Sequence, residues 1–260
     1  ILSYARQLKI PIINHRIERE SNLIAIIESV GKARELAGIV MNSDPGAKSE
    51  ELIGYLNRLP CPVVMINSSN LYENAAENVT ILSLDSEEAG RLCIRALARA
   101  GHTKVGYIRN EPECDLTRLR FTGVTAEAEE LGVAVTHFPA TIKSWESSAA
   151  AAEKITRSRL DDIRSLGLTA LIYYSGSGAL AGRRVLQLAG CRIPEDISII
   201  SEDDGSIMEQ VYPAGTIVAG EYLQQCRDAL DIILGKLPSP GTRLYPYRLI
   251  ERETIQTIHQ

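Results

Sequence analysis

The sequence predicts an α/β fold built as two doubly wound parallel-sheet subdomains with a ligand cleft between them. Three observations lead there. Short β-branched runs alternate with amphipathic helical stretches along nearly the whole chain, the pattern of βαβ crossovers. Most of the runs are continuously apolar rather than alternating, as parallel strands covered on both faces are. The runs are also too many for one sheet in a chain of 260 residues, so two smaller sheets fit better.

Taken in order, the strand-like runs are IPIIN (10–14), AGIVM (37–41), PVVMI (62–66), VTILS (79–83), KVGYI (104–108), VAVTHF (133–138), ALIYY (170–174), ISIIS (197–201) and GTIV (215–218). The clearest helix covers 85–101. Asp85 is placed to N-cap it, with Glu88 three residues on, a variant of the capping box. Ala89, Leu92, Cys93, Ala96, Leu97 and Ala100 then recur at helical spacing, and Gly101 supplies a stop. Similar helical units run over 116–132, 145–166 and 177–190, and LPSPGTR (237–243) reads as a surface connector. In doubly wound sheets ligands bind beyond the carboxyl ends of the strands, which directs attention to the residues there.

Composition excludes several classes. With 28 basic and 33 acidic residues the net charge is −5, a poor match for gripping phosphate backbones. The five cysteines are scattered, without a C-x-x-C pair, and read as free buried thiols in a reducing compartment. Their spacing points to no metal site. No apolar run reaches the length of a membrane span, and the first residues lack the order of a signal peptide.

Four stretches carry candidate chemistry. Gly176-Ser177-Gly178-Ala179-Leu180-Ala181 fits the G-x-G-x-x-G/A dinucleotide fingerprint after a strand. The acidic partner expected about 20 residues later is misplaced, however, because Asp196 precedes its strand and Glu202 and Asp203 come too late. ISIISEDDGS (197–206) runs a buried strand into Glu202-Asp203-Asp204, carboxylates that either cap the next helix or face a ligand. TRLRFTG (117–123) puts Arg118 and Arg120 at a helix start, where cations oppose the macrodipole and so call for another reason or simple surface placement. Trp145 opens a helix, either packed in the core or stacked on a ligand ring. His102 and His137 have no adjacent acid or nucleophile and read as structural.

These residues resemble a known family. DSEEAGRLCIRALARAGHTKVGYI (85–108) resembles D-N-x-x-A-G … L-G-H-x-x-I-x-x-I. RLRFTGVTAEAEELG (118–132) resembles R-x-x-G-F followed by a helix ending in Gly. The 169–204 segment resembles T-A-V-F-A-A-N-D … G-x-x-I-P-E-D-V-S-V-V-G-F-D-D, and RLIERETI (248–255) resembles a closing strand with an R-E-S/T signature. Together they are similar to the effector-binding domain of lactose-repressor and galactose-repressor type transcription regulators, which has the type I periplasmic-binding-protein fold.

The resemblance implies a small-molecule sensor for sugars or sugar-like effectors, with no catalytic role, no cofactor and no metal. It implies an N-terminal subdomain of 1–102 plus 219–243 that lacks its first strand here, and a C-terminal subdomain of 103–218 plus 244–260. It further implies a cytoplasmic homodimer with no membrane attachment, which reads operator DNA through a helix-turn-helix not present in this chain. Ligand binding would shift the subdomain orientation. Arg120 and Asp203 match ligand-hydroxyl partners, and Trp145 matches a pocket aromatic. Ser175 and Gly176 stand where the family has Asn-Asp beside the ligand, and Ser201-Glu202 stands for Gly-Phe. Replacing Arg120 or Asp203 by alanine is then expected to remove effector binding without unfolding the domain. A stand-alone solute-binding protein of a transporter and a nucleotide-dependent enzyme are the alternatives.

Overall fold

A computed structural model of the chain describes residues 1–14, 23–33, 36–42, 49–66, 78–143, 146–202, 205–239 and 241–258. The elements follow the alternation in the sequence. Helix α1 (Leu2–Gln7) and helix α2 (Leu23–Ala33) lead to β1 (Ile39–Asn42), α3 (Ser49–Leu56), β2 (Val63–Ile66) and β3 (Val79–Leu84). Contacts group Ile1–Leu84 with Glu221–Tyr245 as one unit, and Asp85–Gly220 with Pro246–Gln260 as a second.

In the first unit, the returning segment adds helix α10 (Tyr222–Ile233) and strand β9 (Thr242–Tyr245). The sheet runs β1-β2-β3-β9, all parallel, with Ile81 to Leu84 set beside Thr242 to Tyr245. Its core is Leu23, Ile27, Met41, Leu52, Leu56, Val63, Met65, Val79 and Ile81. The run at 10–14 is not a strand. Ile12 and Ile13 are 36% and 48% exposed. The composition suits a strand, but a strand forms only against a neighbour that pairs its backbone, and no described strand pairs with these residues. Conversely, the stretch read as a connector ends inside β9, a strand at the sheet edge with one fully buried residue, which hides it from a search for apolar runs.

The second unit carries α4 (Ser86–Arg99), β4 (Lys104–Arg109), α5 (Asp115–Leu131), β5 (Ala134–Pro139), α6 (Ser148–Ser158), α7 (Leu160–Ser165), β6 (Ala170–Tyr173), α8 (Gly176–Leu188), β7 (Ser198–Glu202), α9 (Gly205–Glu209), β8 (Thr216–Gly220) and β10 (Tyr247–Ile250). Its sheet has the order β10-β8-β7-β6-β4-β5, with only β10 antiparallel. Asp85 caps α4 as its position predicts, accepting from the Glu88 N–H at 3.1 Å. Gly132, at φ 68°, closes α5 in the left-handed region. The single helix expected over 145–166 is two, broken at Arg159.

Contacts place α4, which the sequence reading put in the first subdomain, in the second. Two glycines explain its seat. A Cβ on Gly123 would run into the Glu87 carbonyl, and one on Gly90 into the Arg120 carbonyl. Helices α4 and α5 therefore touch backbone to backbone. Across the same seam the buried Glu127 carboxylate accepts from Arg95 at 2.8 and 2.9 Å and from Arg91 at 3.3 Å. Those bonds, the Arg95 bond foremost, hold its pKa below the usual carboxylate range.

Residues 252–258 stitch the second unit's sheet. The R-E-T stretch is used residue by residue. The Arg252 N–H donates to Thr216 Oγ1 at 3.0 Å, Glu253 accepts from the Ala214 N–H at 2.7 Å, and Thr254 Oγ1 donates to the Ile199 carbonyl at 2.7 Å. The Ile258 N–H then reaches the Ala100 carbonyl at 2.7 Å.

His102 lies under this segment, buried, with Nε2 3.1 Å from the Gln256 carbonyl and Nδ1 2.8 Å from Thr169 Oγ1. A carbonyl only accepts, so Nε2 carries the proton and Nδ1 accepts from the threonine. Burial holds its pKa below the ordinary 6.5, and burial first and Arg109 second do the same for His137. Below pH 6.5 the unfolded chain takes up protons that the folded imidazoles refuse. Stability contributed by these histidines is thus present above that pH and lost as the pH falls through the folded values. Urea midpoints are expected to drop on acidification below pH 6.5, and less so in His102→Gln. A drop of the same size in that variant excludes His102 as a cause.

Candidate functional site

Strand β4 is followed on one side by β5 and on the other by β6, so the connections leaving β4 and β6 diverge. This is the switch point of a doubly wound sheet, the place beyond the strands' carboxyl ends where sheets of this kind generally bind ligands. Asn110 follows β4 there, Tyr174 and Ser175 follow β6, and Glu202 ends β7.

Ser175 is the N-cap of α8. Its Oγ accepts from the Gly178 N–H at 3.3 Å and from Asn110 Nδ2 at 2.7 Å. Gly176, buried, is the first residue of the helix. A Cβ on Gly178 would collide with the Asn110 side chain, and one on Gly182 with the Tyr173 ring. The fingerprint-like glycines are thus accounted for by packing: Gly178 makes room for Asn110 where a pyrophosphate reading would want open backbone. Asn110 is fully buried, and its Oδ1 has no hydrogen-bond partner among the described residues.

Arg120 sits in the second turn of α5 and is 4% exposed. Its Nη2 donates to Tyr247 Oη at 2.5 Å and its Nη1 to the Tyr174 carbonyl at 3.5 Å. The guanidinium lies 4.4 Å from the Tyr174 ring centre and 5.3 Å from that of Tyr247, within cation–π range. Nη1 is 3.8 Å from Oε2 of the fully buried Glu202. That same oxygen accepts from Tyr107 Oη at 3.2 Å. The register explains the meeting. Tyr107 lies beside Ile172 and Ile172 beside Ile200, so Glu202, two residues on from Ile200, shares Tyr107's face of the sheet. Burial, then the Glu202 charge, pushes the Tyr107 hydroxyl well above its ordinary pKa, so it stays a donor.

Of the residues singled out from sequence, Arg120, Ser175 and Gly176 are all at this carboxyl edge. Asp203 and Trp145 lie outside the described residues. The burial of Arg120 against a buried carboxylate adds to the expectation for its alanine variant: truncation is expected to cost stability as well as effector binding. Asn110, Tyr107, Tyr174 and Tyr247 went unrecognised. Asn110 had a usable signal, standing directly after a strand of a parallel sheet. Tyr107 and Tyr174 had none, because within the runs at 104–108 and 170–174 they read as core, and Tyr247 lay outside every such run. Among the described residues, no group of three or more His, Cys, Asp or Glu is arranged to hold a metal, and no helix is long and apolar enough to cross a membrane. The chemistry on offer is hydrogen bonding from a fixed guanidinium, hydroxyls and an amide.

A family model described as periplasmic binding protein-like domain matches residues 94–255. The arabinose metabolism transcriptional repressor of Geobacillus stearothermophilus is 27% identical over 175 residues, covering 65% of this chain. The chain spans 46% of that relative's length. A LacI family transcriptional regulator from Enterococcus faecium, solved with bound ribose, superposes with a TM-score of 0.79 at 16% identity, covering 99% of this chain and 91% of that one. The lac repressor dimer bound to operator and an anti-inducer superposes with a TM-score of 0.77 at 19% identity, covering 98% of this chain and 86% of that one. At these identities the superpositions establish the fold.

Proposed function

The chain belongs to the family of periplasmic binding protein-like domains, and we propose that it is the effector-sensing part of a transcription regulator that takes a small hydroxylated molecule. The observation that carries this reading is Arg120, a buried guanidinium held by Tyr174, Tyr247 and Glu202 at the carboxyl edge of a parallel sheet. A planar fork so fixed is organised before any ligand arrives, and it matches paired oxygen acceptors. Arg120, Ser175 and Gly176, with Asp203 and Trp145, are the proposed ligand contacts. The relatives named above are repressors and regulators, which supports the same role here.

The effector acts by population shift in this reading. It favours one arrangement of the two units in a cytoplasmic homodimer, and so alters how a separate DNA-binding module meets its operator. The acidic chain itself is not expected to grip DNA, and the reading gives it no catalytic step.

The test is a thermal-shift panel of sugars, sugar acids, amino sugars, purines and nicotinamide or adenine nucleotides. A true effector at a hundredfold excess over its Kd stabilises by about 2.7 kcal/mol. A clear response to NAD(P) with none to sugars or purines overturns the reading.

A further inference from the structure

We infer that Glu202 is a specificity-determining residue, one that makes the site around Arg120 accept neutral or amine-bearing ligands and turn away anions. The inference rests on the reading of Arg120 as a ligand contact. A guanidinium buried without a counter-charge is a strong receptor for carboxylate or phosphate. Here Oε2 of Glu202 lies 3.8 Å from Arg120 Nη1, and both side chains are shut off from solvent. Their attraction is therefore little screened. An incoming anion would face this carboxylate as well as the guanidinium.

Glu202 is held in place. It ends β7, on the same sheet face as Tyr107, and accepts from the Tyr107 hydroxyl at 3.2 Å. Arg120 is pinned as firmly by Tyr247 and Tyr174. Arg109, the cation that ends β4, is engaged by the Glu111 carbonyl at 2.6 Å and lies 3.8 Å from Glu113. Arg109 is thus already engaged by its own strand's continuation.

Stability does not explain the pair. Buried ion pairs are commonly replaceable by apolar side chains of similar volume at little or no cost. What Glu202 adds is charge selection, the repulsive element that discrimination between ligands of similar shape requires.

The test uses the 260-residue chain in an anion-poor buffer, with inorganic phosphate as the probe. Glu202→Gln keeps the shape and an acceptor for Tyr107 while removing the charge. It is expected to bind phosphate about tenfold or more tightly than the wild type, by ³¹P line broadening or thermal shift. Adding Arg120→Gln should erase the gain. Equal responses in wild type and Glu202→Gln, including none in either, overturn the inference, and so does a gain that survives loss of Arg120. If the amide variant does not fold, Glu202→Met carries the same comparison. Wild type is also tested on a neutral sugar and its amino, uronate and phosphate forms. An anionic form bound as tightly as its neutral sibling overturns the inference while leaving the effector reading intact. Silence toward every sugar and purine counts against the effector reading, and the phosphate comparison still decides on Glu202.

Discussion

Replacing Gly123 by valine is expected to destabilise the second unit by about 3 kcal/mol or more, or to prevent its folding. In an open helix position the opposite holds. Glycine is the costlier residue there, and Gly→Ala gains about 0.5–1 kcal/mol. Gly31 in α2 is such a position, since a Cβ added there would meet nothing within 4 Å. Gly123 is not, because its Cβ would enter the Glu87 carbonyl, and backbone cannot rotate aside as a side chain does. The contrast makes a paired experiment. In urea unfolding, Gly31→Ala should raise the midpoint and Gly123→Ala should lower it, with Gly123→Val far worse. A stabilised Gly123→Ala would show that α4 and α5 are not in backbone contact. The consequence reaches the site, since Arg120 is one turn before Gly123, and pushing α5 away withdraws the guanidinium.

Arg120→Ala is expected to abolish the effector response and also to cost about 3–5 kcal/mol, because it leaves Glu202 buried without its cation. The two losses are separable. Combining Arg120→Met with Glu202→Gln removes both charges, and its cost should fall below the sum of the two single changes by about 0.5–3 kcal/mol. The double variant should regain stability relative to Arg120→Met alone and still ignore the effector. Strictly additive costs in urea unfolding would show that the pair is not coupled. An effector response that survives in Arg120→Ala would remove Arg120 from the site.

Much of this architecture is legible in the sequence because strands buried on both faces leave continuous apolar runs. Val63–Ile66 and Ala170–Tyr173 are buried at every residue, and both are readable at once. The edge strands Thr242–Tyr245 and Tyr247–Ile250 are each buried at a single residue, so they leave no such run. Residues 10–14 fail in the other direction. They have strand composition, but pairing belongs to the neighbour, and composition says nothing about the neighbour. For the site, Arg120 is legible because a cation at a helix start needs a reason. Its partners are not. Tyr247 is 127 residues away in the chain, and its hydroxyl declares a role only once a guanidinium is found beside it. Tyr107 looks like any strand aromatic until Glu202 appears across the intervening strand.

The stitching of β7 and β8 by residues 252–254 has a bearing on how the chain is made. The first unit is closed by Glu221–Tyr245 and the second by the segment from Pro246 onward, so each takes its closing piece from beyond residue 220. Domains ordinarily fold in turn as they leave the ribosome, the leading one first. Here neither can finish early. A nascent chain stalled before Glu221 holds two incomplete sheets, and one stopped at Tyr245 still lacks β10 and the Arg252-Glu253-Thr254 stitches. Both units therefore wait on the same late stretch of the chain for their closing pieces, and a copy cut short before Glu221 has neither half finished.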